Sequence, residues 1–141
     1  MQKVLVSGFI YEKGKALLLK RRDEGFLADH WEMPGGKLEF GEDPVCGAIR
    51  ETKEEAGVET EAVCPYHCWH TVNEYKSQET HFVEIDFILK LKPNQQVKPG
   101  DGMTEYKWAT EQELDSLLMS PEMKKSVKKG FEWTRNQQQP L

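Results

Sequence analysis

Three glutamates, Glu51, Glu54 and Glu55, stand at i, i+3 and i+4 in a stretch of helical periodicity, so they crowd one helix face. No basic residue falls among them on that face by spacing alone. Three carboxylates in one turn repel one another, and they either hold protons unusually tightly or are neutralised by something positive. Oxygen ligands at this density suit Mg2+, with Mn2+ as a substitute, because these ions keep several waters and share phosphate oxygens with a substrate. The same cluster, taken alone, also fits a solvated acidic face. Its neighbours have to decide.

The helix that carries the cluster has clear ends. Asp43 is a suitable N-cap, Pro44 stands at the first helical position, and Gly57 supplies a left-handed stop. Val45, Ala48, Ile49, Thr52 and Ala56 form a mostly apolar stripe that should face a core. Gly47 lies one turn before Glu51, where glycine costs about 1 kcal/mol relative to alanine. It leaves room either for metal-bound phosphate or for a close helix–loop contact.

Other elements must position this helix. Val4–Tyr11 and Ala16–Lys20 read as strands joined by a turn through Glu12, Lys13, Gly14 and Lys15. A polar stretch from Arg21 to His30 leads into Trp31-Glu32-Met33-Pro34-Gly35-Gly36. Ala62–Val72 and His81–Leu91 read as strands, Pro93–Gly102 as a loop, and Glu105–Ala109 as a short strand. Thr110 and Glu113 form a capping box for a helix over Glu111–Leu118, and Ser120-Pro121 opens a final helix to about Lys129. The sequence predicts one domain over residues 1–135, with a frayed tail over 136–141, and an α/β fold built on a mixed β-sheet covered by helices.

The chain has 141 residues, 38% hydrophobic and 30% charged, which suits one globular domain. No run approaches the roughly 18 apolar residues of a membrane span, so no membrane partner is expected. Three cysteines suggest reduced thiols and a cytoplasmic setting. The net charge of −5 argues against a polynucleotide partner, since phosphate neutralisation carries most of that affinity. A small nucleotide substrate held through metal ions remains compatible with it.

The run from Gly36 through Glu42 to Arg50-Glu51-Thr52-Lys53-Glu54-Glu55-Ala56-Gly57-Val58 resembles the Nudix box of the Nudix hydrolase superfamily. Gly36, Glu42, Arg50, Glu51, Glu54, Glu55 and Gly57 all agree with its fixed positions, and Thr52 departs from a position that is usually aliphatic. The resemblance implies an α/β/α sandwich around a mixed sheet. It implies Glu51, Glu54 and Glu55 as ligands of Mg2+, joined by the Gly35 carbonyl, with Arg50 and Glu42 paired to orient the site. Gly36 and Glu39 would lie against the substrate, and Asp101 or Glu105, ahead of Trp108, would supply a further carboxylate. Dimerisation is common among such proteins, so a homodimer is compatible with the resemblance.

Upstream, Leu17-Leu18-Leu19-Lys20-Arg21-Arg22 through Pro34-Gly35-Gly36 is similar to the MutT-type branch that acts on nucleoside triphosphates. That similarity implies a phosphate contact for Arg21, against the alternative of pairing with Asp23 or Glu24. The implied reaction is attack of a metal-activated water on a phosphorus, giving (d)NMP and pyrophosphate. Hydrolysis of an ADP-ribose-like nucleoside diphosphate sugar or a dinucleoside polyphosphate is the alternative, and a silent nucleotide sensor a further one. MutT proteins carry a purine-reading asparagine near the last helix, where this chain has Ser120-Pro121-Glu122, which speaks against 8-oxo-dGTP.

Other constellations carry less. Cys64, Cys68 and His70 point to one side of a strand and His67 to the other, so four zinc ligands do not converge. Trp31, Trp69, Trp108, Trp133 and Phe26 are candidates for stacking on a base, although large aromatics usually serve a core. The lysines between Lys124 and Lys129 read as a solvated helix face.

Overall fold

In the computed structural model, which describes residues 1–137, the first two strands form a hairpin. β1 (Gln2–Glu12) turns through Lys13 (φ 49°) and Gly14 (φ 85°) into β2 (Lys15–Arg21). Two successive left-handed residues give the tight turn whose twist matches the flanking strands. The register pairs Glu12 with Lys15 and Tyr11 with Ala16, after which the two strands part. β3 (Trp31–Glu32) and β4 (Gly35–Lys37) follow, then α1 (Pro44–Ala56) and the long hairpin of β5 (Thr60–Tyr75) and β6 (Gln78–Leu91). β7 (Met103–Ala109), a 3-10 turn at Gln112–Ser116 and α2 (Pro121–Gln137) complete the described chain.

β1 runs parallel to β6, from Gln2 opposite His81 to Ile10 opposite Leu89, and antiparallel to β4, with Ser7 opposite Gly35. β5 pairs antiparallel with β6. β2 pairs with β3 and β7, so the hairpin links two groups of strands into one mixed sheet. Alternation along the strands sends side chains to two faces. On one face Val6, Ile10, Phe87 and Leu89 meet Ala48 and Ala56 of α1, with Val45 and Ile49 packed alongside. On the other, Phe9 and Ile88 meet Met123, Val127 and Phe131 of α2. A fully buried Val, Ile or Leu contributes about 1.5–3 kcal/mol, whereas a like-charge pair on a helix surface costs only a few tenths. The apolar stripe therefore holds α1 in place with its acidic turn attached.

Several sequence expectations need correction. β3 and β4 fall in a stretch to which the sequence assigned no element; they are too short to show periodicity and exist through pairing with β2 and β1. β5 and β6 reach further than expected, joined through Lys76 (φ 51°) and Ser77 (φ 62°), a turn without the glycine that usually marks one. The Thr110–Glu113 capping box forms in both directions, at 3.2 and 3.3 Å, yet one 3-10 turn replaces the helix expected over Glu111–Leu118. Leu117 is extended there, and the Leu118 carbonyl accepts from the Trp31 N–H at 2.8 Å, which draws the chain out of the helix.

The final helix continues past Lys129 to Gln137, so Asn136 and Gln137 are helical rather than part of a tail. The rest of that tail, 138–141, lies outside the described residues. Gly130 sits within this helix, and its missing side chain admits the Phe9 ring, since a Cβ there would overlap it. The Ser120 hydroxyl accepts from the Met123 N–H at 3.2 Å, which starts the helix as the Ser-Pro pair implies.

Candidate active site

Local geometry fixes α1 before any side chain acts. Asp43 accepts from the Val45 N–H at 2.8 Å, and Gly57, at φ 70°, closes the C-terminus by donating to the Lys53 carbonyl. The loop after β6 satisfies two further carbonyls, with the Lys98 and Gly100 N–H groups donating to Ala56 and Glu55 at 2.9 and 2.8 Å. Gly100 packs so close that a Cβ would lie 2.5 Å from the Glu54 carbonyl oxygen.

Arg50 is the hub of the acidic face, which corrects the expectation that no basic group stands among the glutamates. Its long side chain folds along the helix to reach residues one and four positions on. The guanidinium grips Glu42 with two bonds, Nε to Oε2 at 2.7 Å and Nη2 to Oε1 at 2.9 Å. Nη1 donates to Glu51 at 3.0 Å and to both Glu54 oxygens at 3.2 and 3.3 Å, and Nη2 to the Lys37 carbonyl at 3.1 Å. The Arg50 bonds, with one from the Glu39 N–H, hold the Glu42 carboxyl at about 2, well below its ordinary value. Glu39 is exposed, its carboxylate 3.8 Å from Arg50.

Glu51 and Glu55 are pushed the opposite way. Glu55 is buried and its pKa rises to about 9, chiefly through desolvation, although the Gly35 N–H donates to it at 2.8 Å. Burial also raises Glu51, against the opposing pull of Arg50. Gly36 lies directly against the Glu51 carboxylate, and a Cβ there would overlap it. Gly47 resolves to a helix–loop contact: a Cβ would stand 2.7 Å from Leu38 and 3.0 Å from Glu42.

The matching family model, described as the NUDIX domain, spans residues 1–133. The chain belongs to the Nudix family. The MutT-like protein of Streptomyces ambofaciens is 31% identical over 120 residues, covering 84% of this chain and 70% of that protein. An ADP-ribose pyrophosphatase of Methanocaldococcus jannaschii is 28% identical over 130 residues, 92% of this chain and 73% of its own. A crystal structure of a NUDIX hydrolase from Nitrosomonas europaea matches with a TM-score of 0.73 at 28% identity, covering 99% of this chain and 74% of that one. The mixed sheet between two helices is thus the Nudix fold, and the protein is a hydrolase of that family.

Nudix hydrolases generally work with a divalent metal. Among the described residues no three carboxylate, imidazole or thiolate side chains stand ready around one point, because Arg50 occupies the space between Glu51 and Glu54. The donor set still fits a hard cation. Glu51 and Glu55 are oxygen donors whose ionised forms are disfavoured by burial in the protein alone, and Glu54 is half exposed beside them.

The remaining expected site residues of this Nudix chain are dispersed. Arg21 pairs with neither Asp23 nor Glu24; its Nη1 lies 3.1 Å from Glu32, and Nε donates to the Phe26 carbonyl at 3.0 Å. Glu105 is engaged by Lys20 across the β2–β7 pair at 3.2 Å. Asp101 is exposed in the turn just after Gly100, the residue that caps α1. Among the aromatics, Trp69 donates to Glu84 at 2.9 Å, Trp108 and Trp133 pack against the two cores, Lys20 lies over Trp31, and Phe26 is exposed.

Sequence reasoning missed a line of buried carboxyls behind Glu55. Burial raises Glu32, Glu84 and Asp86 above their ordinary values, and the charges of Glu32 and Glu55 oppose each other, as do those of Glu32 and Glu84. Neither Asp86 oxygen has a hydrogen-bond partner among the described residues. Glu84 and Asp86 alternate with Val83, Ile85 and Phe87 in β6, a pattern that normally marks a solvated face. Glu84 lies against the Trp69 indole of β5 and Asp86 beside Ser126 of α2, neighbours that spacing in β6 alone does not reveal.

Proposed function

We propose that this protein is a Mg2+-dependent pyrophosphohydrolase acting on a nucleoside diphosphate linked to another moiety, with a (d)NTP, cut to (d)NMP and pyrophosphate, as the best reading. The arrangement of Glu51, Glu54 and Glu55 around Arg50, itself clamped by Glu42, carries this reading. Glu51, Glu54 and Glu55, with the Gly35 carbonyl, would hold the cation, which supplies phosphate charge neutralisation and a more acidic bound water.

The chain's own residues do the rest. Glu42 keeps the Arg50 guanidinium in one orientation, and Arg50 in turn orients Glu51 and Glu54, which would hold the divalent cation. Glu55 holds a proton at neutral pH in the metal-free chain, and that proton has to leave for the carboxylate to bind a cation. Gly36 leaves bare backbone beside Glu51, where a phosphate can approach. Asp101 and Glu105 remain the candidates for the further carboxylate; Asp101, tied through Gly100 to the end of α1, is the freer of the two.

The methanogen relative named an ADP-ribose pyrophosphatase supports a second reading, hydrolysis of a nucleoside diphosphate sugar. Products separate the two on a nucleotide panel with Mg2+: free pyrophosphate marks the first and a sugar phosphate the second. Nucleotide binding without any turnover would instead indicate a sensor. Three free cysteines fit a reducing, cytoplasmic setting, and no described helix is long and apolar enough to cross a membrane.

A further inference from the structure

Lys3, Lys37 and Lys76 come from β1, β4 and the β5–β6 turn, yet all three gather around Tyr75. Their ammonium nitrogens lie 5.9, 4.4 and 5.4 Å from the centre of its ring, and Lys37 also donates to the phenol oxygen at 2.6 Å. Phe26 and Phe82 fix the ring by edge contacts at 6.4 and 5.6 Å. None of the three lysines has an ion-pair partner among the described residues.

One lysine over an aromatic ring needs no ligand to explain it. Three ammonium groups around one ring repel each other, and the ring offsets that only in part. The Lys37 hydrogen bond, with the charges of Lys37 and Lys76, also holds the Tyr75 phenol below its ordinary value, so the positive potential is felt at the site. In a chain of net charge −5, this positive cluster stands out. It also adjoins the glutamate face. The backbone of Lys37 accepts from Arg50, and the residue before it, Gly36, lies against Glu51.

We infer that Lys3, Lys37 and Lys76 around Tyr75 form an anion subsite for substrate phosphates beyond the two that flank the cut. The preferred substrate then carries a phosphate chain at that end rather than a sugar. The inference rests on the pyrophosphohydrolase reading and narrows it. Ammonium groups make strong charge-assisted contacts with phosphate oxygens and have no comparable partner on a neutral sugar.

Binding of inorganic tripolyphosphate to the full chain in EDTA, followed by calorimetry, tests the subsite without turnover. The wild type should bind, and the K37Q/K76Q variant should bind at least about tenfold more weakly. K90Q/K92Q removes the same charge at the opposite end of the β5–β6 hairpin and should change binding less than about twofold. Failure of the wild type to bind, or an equal loss in both variants, overturns the inference. Thermal midpoints confirm that both variants are folded, and Y75F, which removes only the oxygen holding Lys37, should give part of the same loss.

Kinetics supply the second arm. K37Q/K76Q should raise KM for a nucleoside triphosphate by at least about tenfold, and several-fold less for a nucleoside diphosphate sugar. Equal losses on both substrates overturn the subsite. A wild type that turns over neither substrate defeats the pyrophosphohydrolase reading instead, while tripolyphosphate binding still reports on the lysines.

Discussion

The Glu51 carboxylate rests on the bare backbone of Gly36: a Cβ at Gly36 would overlap both carboxylate oxygens. Gly36 has no left-handed φ, so an added methyl group brings no backbone strain of its own and acts first on the Glu51 carboxylate, whose atoms are its nearest neighbours. Gly36→Ala should therefore lower kcat by about 100-fold, the order of loss that accompanies a 1 Å misplacement of a reacting group. The thermal midpoint should change little. Steady-state kinetics beside a melting curve checks both, and an unchanged kcat would show that Glu51 does not have to sit where it does.

Arg50 and Glu42 make a two-bond fork that a lysine cannot reproduce. Arg50→Lys should reduce activity by roughly 10–100-fold, the usual scale for groups that orient metal ligands. The apparent Mg2+ requirement should rise with it. A titration of rate against Mg2+ separates weakened metal binding from a general loss of fold.

Glu55 makes the metal-free protein sensitive to pH. Its folded pKa, about 9, lies above the ordinary value of 4.5, so the folded state holds a proton that the unfolded state has released. Its contribution is fully present below about 4.5 and is lost as pH rises towards about 9. Glu55→Gln keeps an acceptor for the Gly35 N–H and removes the titration. It should stabilise the metal-free protein at pH 8 by at least about 1 kcal/mol while abolishing Mg2+-dependent turnover. Denaturant unfolding in EDTA at pH 5 and pH 8 gives the comparison; a gain equal at both values would contradict the burial account.

Metal binding should release that proton. Calorimetric titration with Mg2+ in buffers of different ionisation enthalpy should show proton release near pH 7.5, and tighter binding as pH rises. Heat independent of buffer would place the cation away from Glu55.

Gly130 tests the packing of α2. Alanine there gains about 1 kcal/mol of helix propensity but collides with the buried Phe9 ring, and overpacking costs about 1–3 kcal/mol. The collision should win, giving a net loss of about 1 kcal/mol in denaturant unfolding with activity largely kept.

Much of the site was legible because its signals are local. Asp43, Pro44 and Gly57 mark the ends of α1 through chemistry within a few residues, and the stripe from Val45 to Ala56 shows which face turns inward. The first hairpin was readable for the same reason, since Lys13-Gly14 can adopt the turn unaided. What escaped depends on distant partners. β4 is a strand because β1 lies beside it, and the 3-10 turn ends where Leu118 meets Trp31. Glu84 and Asp86 look solvent-facing by alternation, yet both are buried, Glu84 against Trp69 and Asp86 beside Ser126 of α2. Arg50 was assigned to Glu42 but also lies over Glu51 and Glu54, a consequence of side-chain length that helical spacing does not express.

The most direct test of the glutamate face is Mg2+-dependent phosphate release by the wild type and by Glu54→Gln, each repeated in EDTA. The amide keeps the shape of Glu54 and removes its charge, and it leaves the half-exposed position free to fold. The expected result is turnover by the wild type that EDTA abolishes, and a loss of at least about 100-fold in the variant with an unchanged melting curve. A variant that keeps the wild-type rate at saturating Mg2+, or wild-type turnover that survives EDTA, would contradict the assignment of this face as the metal-dependent active site.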